Sequence, residues 1–231
     1  MAGLDPATIL EIGCGQGGFG ARLARRGAYL GVEPDPTSWA TARRRIEPLG
    51  GEVRNVSWRE LGAGPTYDLV CAFEVLEHVA DDGAELASWR AMVAPGGSVL
   101  VSMPAWPQRF NAWDARVGHH RRYEPGPTAT LLRSAGFSDP EVVVYGWPLG
   151  YALEAGRSWI AARRATSHPA EAGLSMQSRT AGSGRAFQPP PAVGRLIQLG
   201  VSPWVALQRR RPDRGTGLVA IARRPPEQPR Q

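Results

Sequence analysis

Short apolar runs alternate with amphipathic stretches over the first 104 residues, a pattern that predicts strands and helices in turn. Ala7–Ile12 is a compact apolar run that ends in glycines. Phe19–Arg26 has helical spacing, with Phe19 and Leu23 on one face and Arg25 and Arg26 in the last turn, where cations suit the helix dipole. Tyr29–Glu33 predicts a second strand, and Pro36–Ile46 a second helix ending in Arg43, Arg44 and Arg45. Val53–Trp58 and Asp68–Phe73 read as strands three and four. Gly83–Val93 is helical until Pro95-Gly96-Gly97 stops it, and Ser98–Met103 is strand five. Such alternation with short connections predicts a parallel sheet covered on both faces.

Beyond Pro104 the periodicity fades. Pro104–Tyr123 is rich in Trp, His and Arg, and so long a loop in a compact domain is usually functional or disordered. Pro127–Ala135 predicts another helix, closed by Gly136, and Glu141–Tyr145 a sixth strand. Trp147–Arg164 reads as an amphipathic helix using Leu149, Leu153, Trp159 and Ile160. Residues 165–191 are rich in Ser, Ala, Gly and Pro and end in Pro189-Pro190-Pro191, the composition of a mobile segment. Val193–Leu207 is apolar again, interrupted by Pro203, and Gly217–Ala222 is a final strand. The chain thus divides into a core over 1–146, an insertion over 147–212 and a last strand with a flexible tail over 213–231.

Composition narrows the class. A chain of 231 residues with 42% hydrophobic content can bury one good-sized core. No stretch approaches the roughly 18–20 apolar residues of a membrane span, and the N-terminus lacks the layout of a secretion signal, so a cytoplasmic protein is expected. Two cysteines, Cys14 and Cys71, exclude a disulfide scaffold and lie on or beside core strands as small hydrophobes. The net charge of +6 is unevenly placed: residues 1–140 hold 14 Arg against 16 acids, a balance of −2, and residues 141–231 hold 13 Arg against 5, a balance of +8. No nucleic-acid motif or stacking signature accompanies the basic third, which reads as a solvated surface.

The densest chemical signal is Ile9-Leu10-Glu11-Ile12-Gly13-Cys14-Gly15-Gln16-Gly17-Gly18. A strand entering a glycine-rich turn and then a helix lets a ligand lie against backbone amides, where any Cβ would hold it off. Gly13, Gly15 and Gly18 satisfy the dinucleotide fingerprint G-x-G-x-x-G, while Glu11-x-Gly13-x-Gly15-x-Gly17 is a different pattern. Glu33, at the end of the second strand, fits both, since a carboxylate there can accept both hydroxyls of an adenosine ribose. The residues establish a nucleoside site and leave the nucleoside open.

Glu11–Gly17 with an acid ending strand two resembles motif I and its successor in class I S-adenosylmethionine-dependent methyltransferases. Tyr67-Asp-Leu-Val-Cys-Ala-Phe-Glu-Val-Leu-Glu-His78-Val resembles that superfamily's fourth strand and following turn, and Ala94-Pro95-Gly96-Gly97 its P-G-G turn. Trp113-Asp114-x-x-x-Gly118-His119-His120-Arg121-Arg122-Tyr123, followed by a helix ending Ala135-Gly136-Phe137, is similar to a bacterial branch related to the ubiquinone-biosynthesis-type methyltransferases. The match spans residues 7–146. It implies a Rossmann-like α/β fold with a seven-stranded, mostly parallel sheet in the order 3-2-1-4-5-7-6 and helices on both faces. It also implies S-adenosyl-L-methionine as cofactor and methyl transfer to O, N or C of a small-molecule acceptor.

Residue by residue, the resemblance implies that the methionine portion crosses the Gly13, Cys14, Gly15, Gln16, Gly17 turn, with Glu11 favouring its ammonium. Glu33 would take the ribose, and Pro34 or Asp35 would border the adenine. An Asp that often follows strand three is absent, leaving Ser57 and Trp58 as substitutes, and Phe73 and Glu74 lead toward the sulfonium. Methyl transfer needs alignment and an unprotonated nucleophile, and His is the side chain that titrates nearest neutrality. His119 matches the family's histidine and is the expected base, with His120 beside it and Asp114 as partner; the competing reading makes His119, Asp114, Arg121 and Arg122 a salt-bridged scaffold. Arg121 and Arg122 would otherwise clamp an acceptor anion, and Trp106, Trp113, Phe110 and Tyr123 would line an aromatic pocket. His78 is expected to fix the turn after strand four, and His168 falls in the mobile segment.

No His/Asp/Glu group has metal-ligand spacing in the sequence, so no metal is expected. Strand one begins by residue 7 and leaves no N-terminal helices over the cofactor. The expectation is a truncated start, or a lid supplied by the 147–212 insertion together with a second subunit of a homodimer. Trp147, Trp159, Trp204 and the arginines of that insertion also suit a membrane-surface contact. Two rival functions stand beside methyl transfer: a nicotinamide-dependent oxidoreductase, which the chain would have to run without any lysine, and a catalytically silent methyltransferase fold acting as a binding subunit.

Overall fold

A computed structural model describes residues 5–62, 64–167 and 204–227. Seven strands form one sheet: β1 (Thr8–Ile12), β2 (Ala28–Val32), β3 (Glu52–Arg54), β4 (Tyr67–Phe73), β5 (Val93–Pro104), β6 (Ser138–Gly146) and β7 (Gly215–Arg223). Their order is β3-β2-β1-β4-β5-β7-β6, as expected. β1 to β5 pair in parallel, and only β7 runs antiparallel, between β5 and β6. The helices are α1 (Gly20–Leu23), α2 (Pro36–Ile46), α3 (Asp82–Met92), α4 (Ala112–Val117), α5 (Pro125–Ser134) and α6 (Leu149–Ser167).

The period-2 alternation of the strands sorts side chains into two cores. Leu10, Ile12, Leu30, Val32, Val70 and Ala72 face Leu86 and Trp89 of α3 and Leu132 of α5. Ile9, Leu69, Cys71 and Leu100 face Leu23 of α1 and Ala42 and Ile46 of α2. Cys14 and Cys71 are buried and unbridged, in keeping with their reading as small hydrophobes. α2 starts where the sequence places it because Asp35 accepts a hydrogen bond from the Ser38 amide at 2.8 Å and Pro36 occupies the first turn.

Several elements depart from the expected bounds. α1 is only one turn, and β3 ends at Arg54 because Ser57 caps a 3-10 turn over Trp58–Leu61. β5 starts at Val93, with a register shift where Pro95-Gly96-Gly97 was expected simply to end a helix. Gly97 passes so close to its neighbours that a Cβ would lie 2.8 Å from the Asp68 carbonyl oxygen. The aperiodic Pro104–Tyr123 stretch contains α4, launched by a reciprocal box in which Asn111 caps the helix and Asp114 bonds back to the Asn111 amide. α6 reaches Ser167, so residues 165–167 are helical; the rest of the stretch expected to be mobile, with His168 and Pro189-Pro190-Pro191, lies outside the described residues. Nor does α6 bury the face expected of it. Leu153 is 46% and Trp159 57% exposed, whereas Glu154 is buried. Among the described residues, no helix is long and apolar enough to cross a membrane.

Candidate functional site

The parallel strands β1, β2, β4 and β5 end on one edge of the sheet, the edge where open α/β sheets bind ligands. At its β1–β2 end, Gly13, Gly15 and Gly17 all adopt positive φ, at +67°, +54° and +74°. Two of them are fixed by packing: a Cβ at Gly13 would lie 2.8 Å from Val75 Cγ2, and one at Gly17 2.8 Å from Ile46 Cδ1. Gly15 is different, since a Cβ there would meet nothing within 4 Å. Its open side is a cradle on which a ligand can lie against the backbone.

Glu33 closes that cradle. Its Oε2 accepts the Gly15 amide and its Oε1 the Asp35 amide, both at 2.9 Å, so both carboxylate oxygens are held in place at the tip of the turn. Burial pushes its carboxyl up, against the lowering pull of the two amides. Glu11 lies beneath, almost fully buried, accepting the Tyr29 hydroxyl at 2.6 Å. Burial raises its carboxyl to about 8, opposed by the Tyr29 hydrogen bond. Cys14 packs in the core under the turn, and the Gln16 carbonyl accepts from Arg45 at 3.0 Å.

The other residues expected around the nucleoside divide. Pro34 is exposed beside Glu33, but the Asp35 carboxylate is engaged as the α2 cap. Ser57 is a cap as well, and the Trp58 indole donates to Glu85 at 2.6 Å under the Arg59 guanidinium. Phe73 meets Phe19 edge to face at 4.6 Å.

The β5–β7 end of the same edge holds a cavity of about 640 Å³. Glu74, Asp114, His119 and Arg122 lie on its polar side, with Glu154, Arg157 and Gln208 also reaching it; Trp113, Trp147, Leu149, Leu153 and Trp204 form much of its apolar wall. An ion network braces it. The Arg122 guanidinium donates to both oxygens of Asp114, with one contact at 2.6 Å, and also to Glu154, which in turn pairs with Arg109. The His119 Nδ1 lies 2.7 Å from Asp114 Oδ1. Burial pushes Asp114 up, but the bonds from His119 and Arg122 outweigh it and hold the carboxyl at about 2.

His119 and Asp114 are therefore brought together as expected, and His119 faces the cavity. His120 is not with them: its side chain is exposed, and only its amide is used, donating to the Glu77 carbonyl. Arg122 is not a free anion clamp, because it is buried and committed to two carboxylates. Arg121 is a brace on the outer side, paired with Asp82 at 2.7 Å. Tyr123 donates to Asp82 from within the core, and the Trp106 indole donates to the Gly215 carbonyl, so neither lines the cavity; Trp113 does. Phe110 is 42% exposed and stands outside the cavity wall.

Sequence spacing also hid a cluster. Glu77, His78 and His119 bring ligand-type atoms within 4.8 Å of one another, a geometry compatible with a metal ion that residue spacing alone did not suggest. Glu77 is fully buried, its carboxylate oxygens have no hydrogen-bond partner among the described residues, and its Oε1 lies 3.7 Å from His119 Nε2. The His78 ring stands edge to face with His119 at 4.7 Å, and burial lowers its imidazole to about 4, with His119 as the second cause. Glu154, another residue the pattern did not single out, had one visible signal: it is among only five acids in the last 91 residues.

Comparison with known proteins places this geometry. A family model described as a methyltransferase domain matches residues 2–142. A ubiquinone biosynthesis O-methyltransferase of Azorhizobium caulinodans is 43% identical over 103 residues, 43% of this chain and 41% of the relative. The chain thus spans about two-fifths of the length of that curated relative. Among solved structures, the N-methyltransferase NodS of Bradyrhizobium japonicum, in complex with S-adenosyl-L-homocysteine, superposes with a TM-score of 0.56 at 16% identity, covering 95% of this chain and 79% of that one. Phosphoethanolamine N-methyltransferase 2 of Haemonchus contortus, in complex with S-adenosyl-L-methionine, gives 0.59 at 19% identity over 97% of this chain and 50% of that one. At such identities the structures share the fold, the Rossmann-like class I methyltransferase fold. None of these relatives is a nicotinamide-dependent oxidoreductase.

Proposed function

The chain belongs to the methyltransferase-domain family, and from that premise we propose that it transfers a methyl group from S-adenosyl-L-methionine to O, N or C of a small-molecule acceptor. The observation that carries the reading is the open side of Gly15, whose amide helps fix the Glu33 carboxylate beside it. The donor supplies a methyl group activated by positive sulfur. In this reading the Gly13–Gly17 turn supports its methionine portion, Glu11 favours its ammonium, and Glu33 accepts the ribose hydroxyls. Pro34 borders the adenine. Phe73 and Glu74, leaving β4 between the cradle and the cavity, border the reacting end.

The cavity under α6 takes the acceptor. Trp113 and the other indoles give it apolar, aromatic walls. His119, oriented by Asp114, and Glu74 are the two groups on its polar side that can take the acceptor's proton. α6 acts as the lid, held down by Glu154 through Arg109 and Arg122. The exposed Trp159 beneath Arg163 supports a membrane-surface contact for the same helix. The setting is the cytoplasm.

Calorimetric titration with S-adenosyl-L-homocysteine tests the reading. Micromolar binding is expected for the wild type and a loss of at least tenfold for Glu33→Ala. Binding of NAD(H) or NADP(H) in its place would overturn it.

A further inference from the structure

Tyr145 is a cavity side chain to which the sequence assigns no role. Tyr145, near the end of β6, is 40% exposed, and it faces the cavity. The sheet register sets Tyr145 opposite Gly217 of β7, and Gly217 opposite Pro104 of β5. A Cβ on Gly217 would lie 2.5 Å from the Tyr145 ring Cζ and 2.7 Å from its hydroxyl. The ring therefore lies across the bare backbone of β7, the strand between β6 and β5.

Ser102 on β5 is where Glu74 is anchored, twice. The Glu74 amide donates to the Ser102 carbonyl at 3.0 Å, and the Ser102 hydroxyl donates to Glu74 Oε1 at 2.9 Å. Glu74 is a non-glycine residue with φ +56°, a conformation that persists only where the surroundings dictate it. The left-handed turn and the double hold on Ser102 keep the carboxylate at the cavity wall.

We propose that Glu74, Ser102 and Tyr145 form the acceptor-holding set of the cavity: Tyr145, seated over Gly217, donates a hydrogen bond to the acceptor atom, Glu74 receives that atom's proton, and Ser102 positions Glu74. The assignment rests on the methyl-transfer reading and narrows it to acceptors that carry an O–H or N–H. As the acceptor's lone pair forms its bond to the methyl carbon, the carbon–sulfur bonding pair stays on sulfur. The acceptor's proton passes to Glu74 Oε2 and from there to water in the cavity. Glu74 and Tyr145 are then catalytic residues and Ser102 a positioning residue.

4-Nitrophenol, a phenol that titrates near neutrality and changes colour on ionisation, is the probe. It is titrated into protein saturated with S-adenosyl-L-homocysteine, with cofactor binding measured in parallel. Wild type is expected to bind it with the absorption of the phenolate. Glu74→Gln is expected to lose that absorption and at least tenfold in affinity, and Tyr145→Phe, which keeps the ring over Gly217, about five- to tenfold in affinity. Ser102→Ala should weaken binding less than either. The proposal is overturned if the probe does not bind, if the three variants match wild type, or if His119→Asn abolishes the phenolate signal while Glu74→Gln keeps it. Tyr145→Phe decides the matter even if Glu74→Gln fails to fold. Loss of S-adenosyl-L-homocysteine binding by wild type would instead sink the methyl-transfer reading and leave the probe result to judge the three residues.

Discussion

At the β1–β2 end of the sheet edge, the candidate site is glycine backbone and one carboxylate held by two amides; at the β5–β7 end, it is side chains braced by ion pairs. The first region is local. Its glycines fall within five residues, and Glu33 is 18 residues from Gly15. The second is assembled from distant parts: Asp114, Arg122 and Glu154 come from α4, from the segment before α5, and from α6, with 32 residues between Arg122 and Glu154. A site made of backbone resists change of side chain but not the addition of a Cβ. A site made of buried charges fails when any one partner is withdrawn.

The sharpest way to break the comparison is to remove Asp114. Asp114→Ala leaves Arg122 and His119 facing each other without their shared carboxylate, and a cost of about 3–5 kcal/mol in unfolding free energy is expected by urea titration. Because the folded carboxyl is depressed to about 2, its stabilisation is present above the ordinary carboxylate range. It should be lost as pH falls toward 2, and the variant should lack that acid-dependent loss.

Gly15 and Gly17 sharpen the contrast. Gly15→Ala adds only the cost of a left-handed alanine, about 1–2 kcal/mol, yet should cut S-adenosyl-L-homocysteine affinity by tenfold or more. Gly17→Ala has the same strain plus a Cβ 3.0 Å from the Ala42 backbone, and should cost more in stability. If Gly15→Ala bound like wild type, the open cradle would not be where the ligand lies.

The smallest effect is expected from Arg121→Ala. Its pair with Asp82 is a third exposed on the arginine side, so a loss of about 1 kcal/mol or less is expected. Cofactor affinity should not change in the same titration.

The backbone-made region was legible in the sequence because its constraints act over a few residues. Gly13, Gly15 and Gly17 state a turn, and Asp35-Pro36 states a helix start. The strand order came from the family resemblance and stands. The side-chain region was legible only in part. His119 and Asp114 are five residues apart and were paired, but Arg121 and Arg122 could not be told apart until α4 and the bridge between Ala105 and Tyr123 turned one inward and the other outward. Trp106 and Tyr123 were placed in a pocket because aromatic residues in a loop read alike whether they line a cavity or fill a core. Tyr145, Ser102 and Gly217 meet only through the register of three strands, and no local pattern encodes that. The α4 helix did have a signal, the Asn111-x-x-Asp114 capping box, hidden by its brevity.

The reversal of β7 has a consequence for how this architecture tolerates length. Gly146, closing β6, stands opposite Gly215, opening β7, so the chain leaves the sheet and re-enters it one strand spacing away, about 5 Å. The segment between, which opens with α6, therefore has its two ends pinned together, as the ends of a closed loop are. Doubling such a loop costs only about 0.6 kcal/mol in closure entropy. The α6 side of the cavity is thus a cassette on a fixed neck, exchangeable in size without disturbing the glycine turn at the far end of the edge.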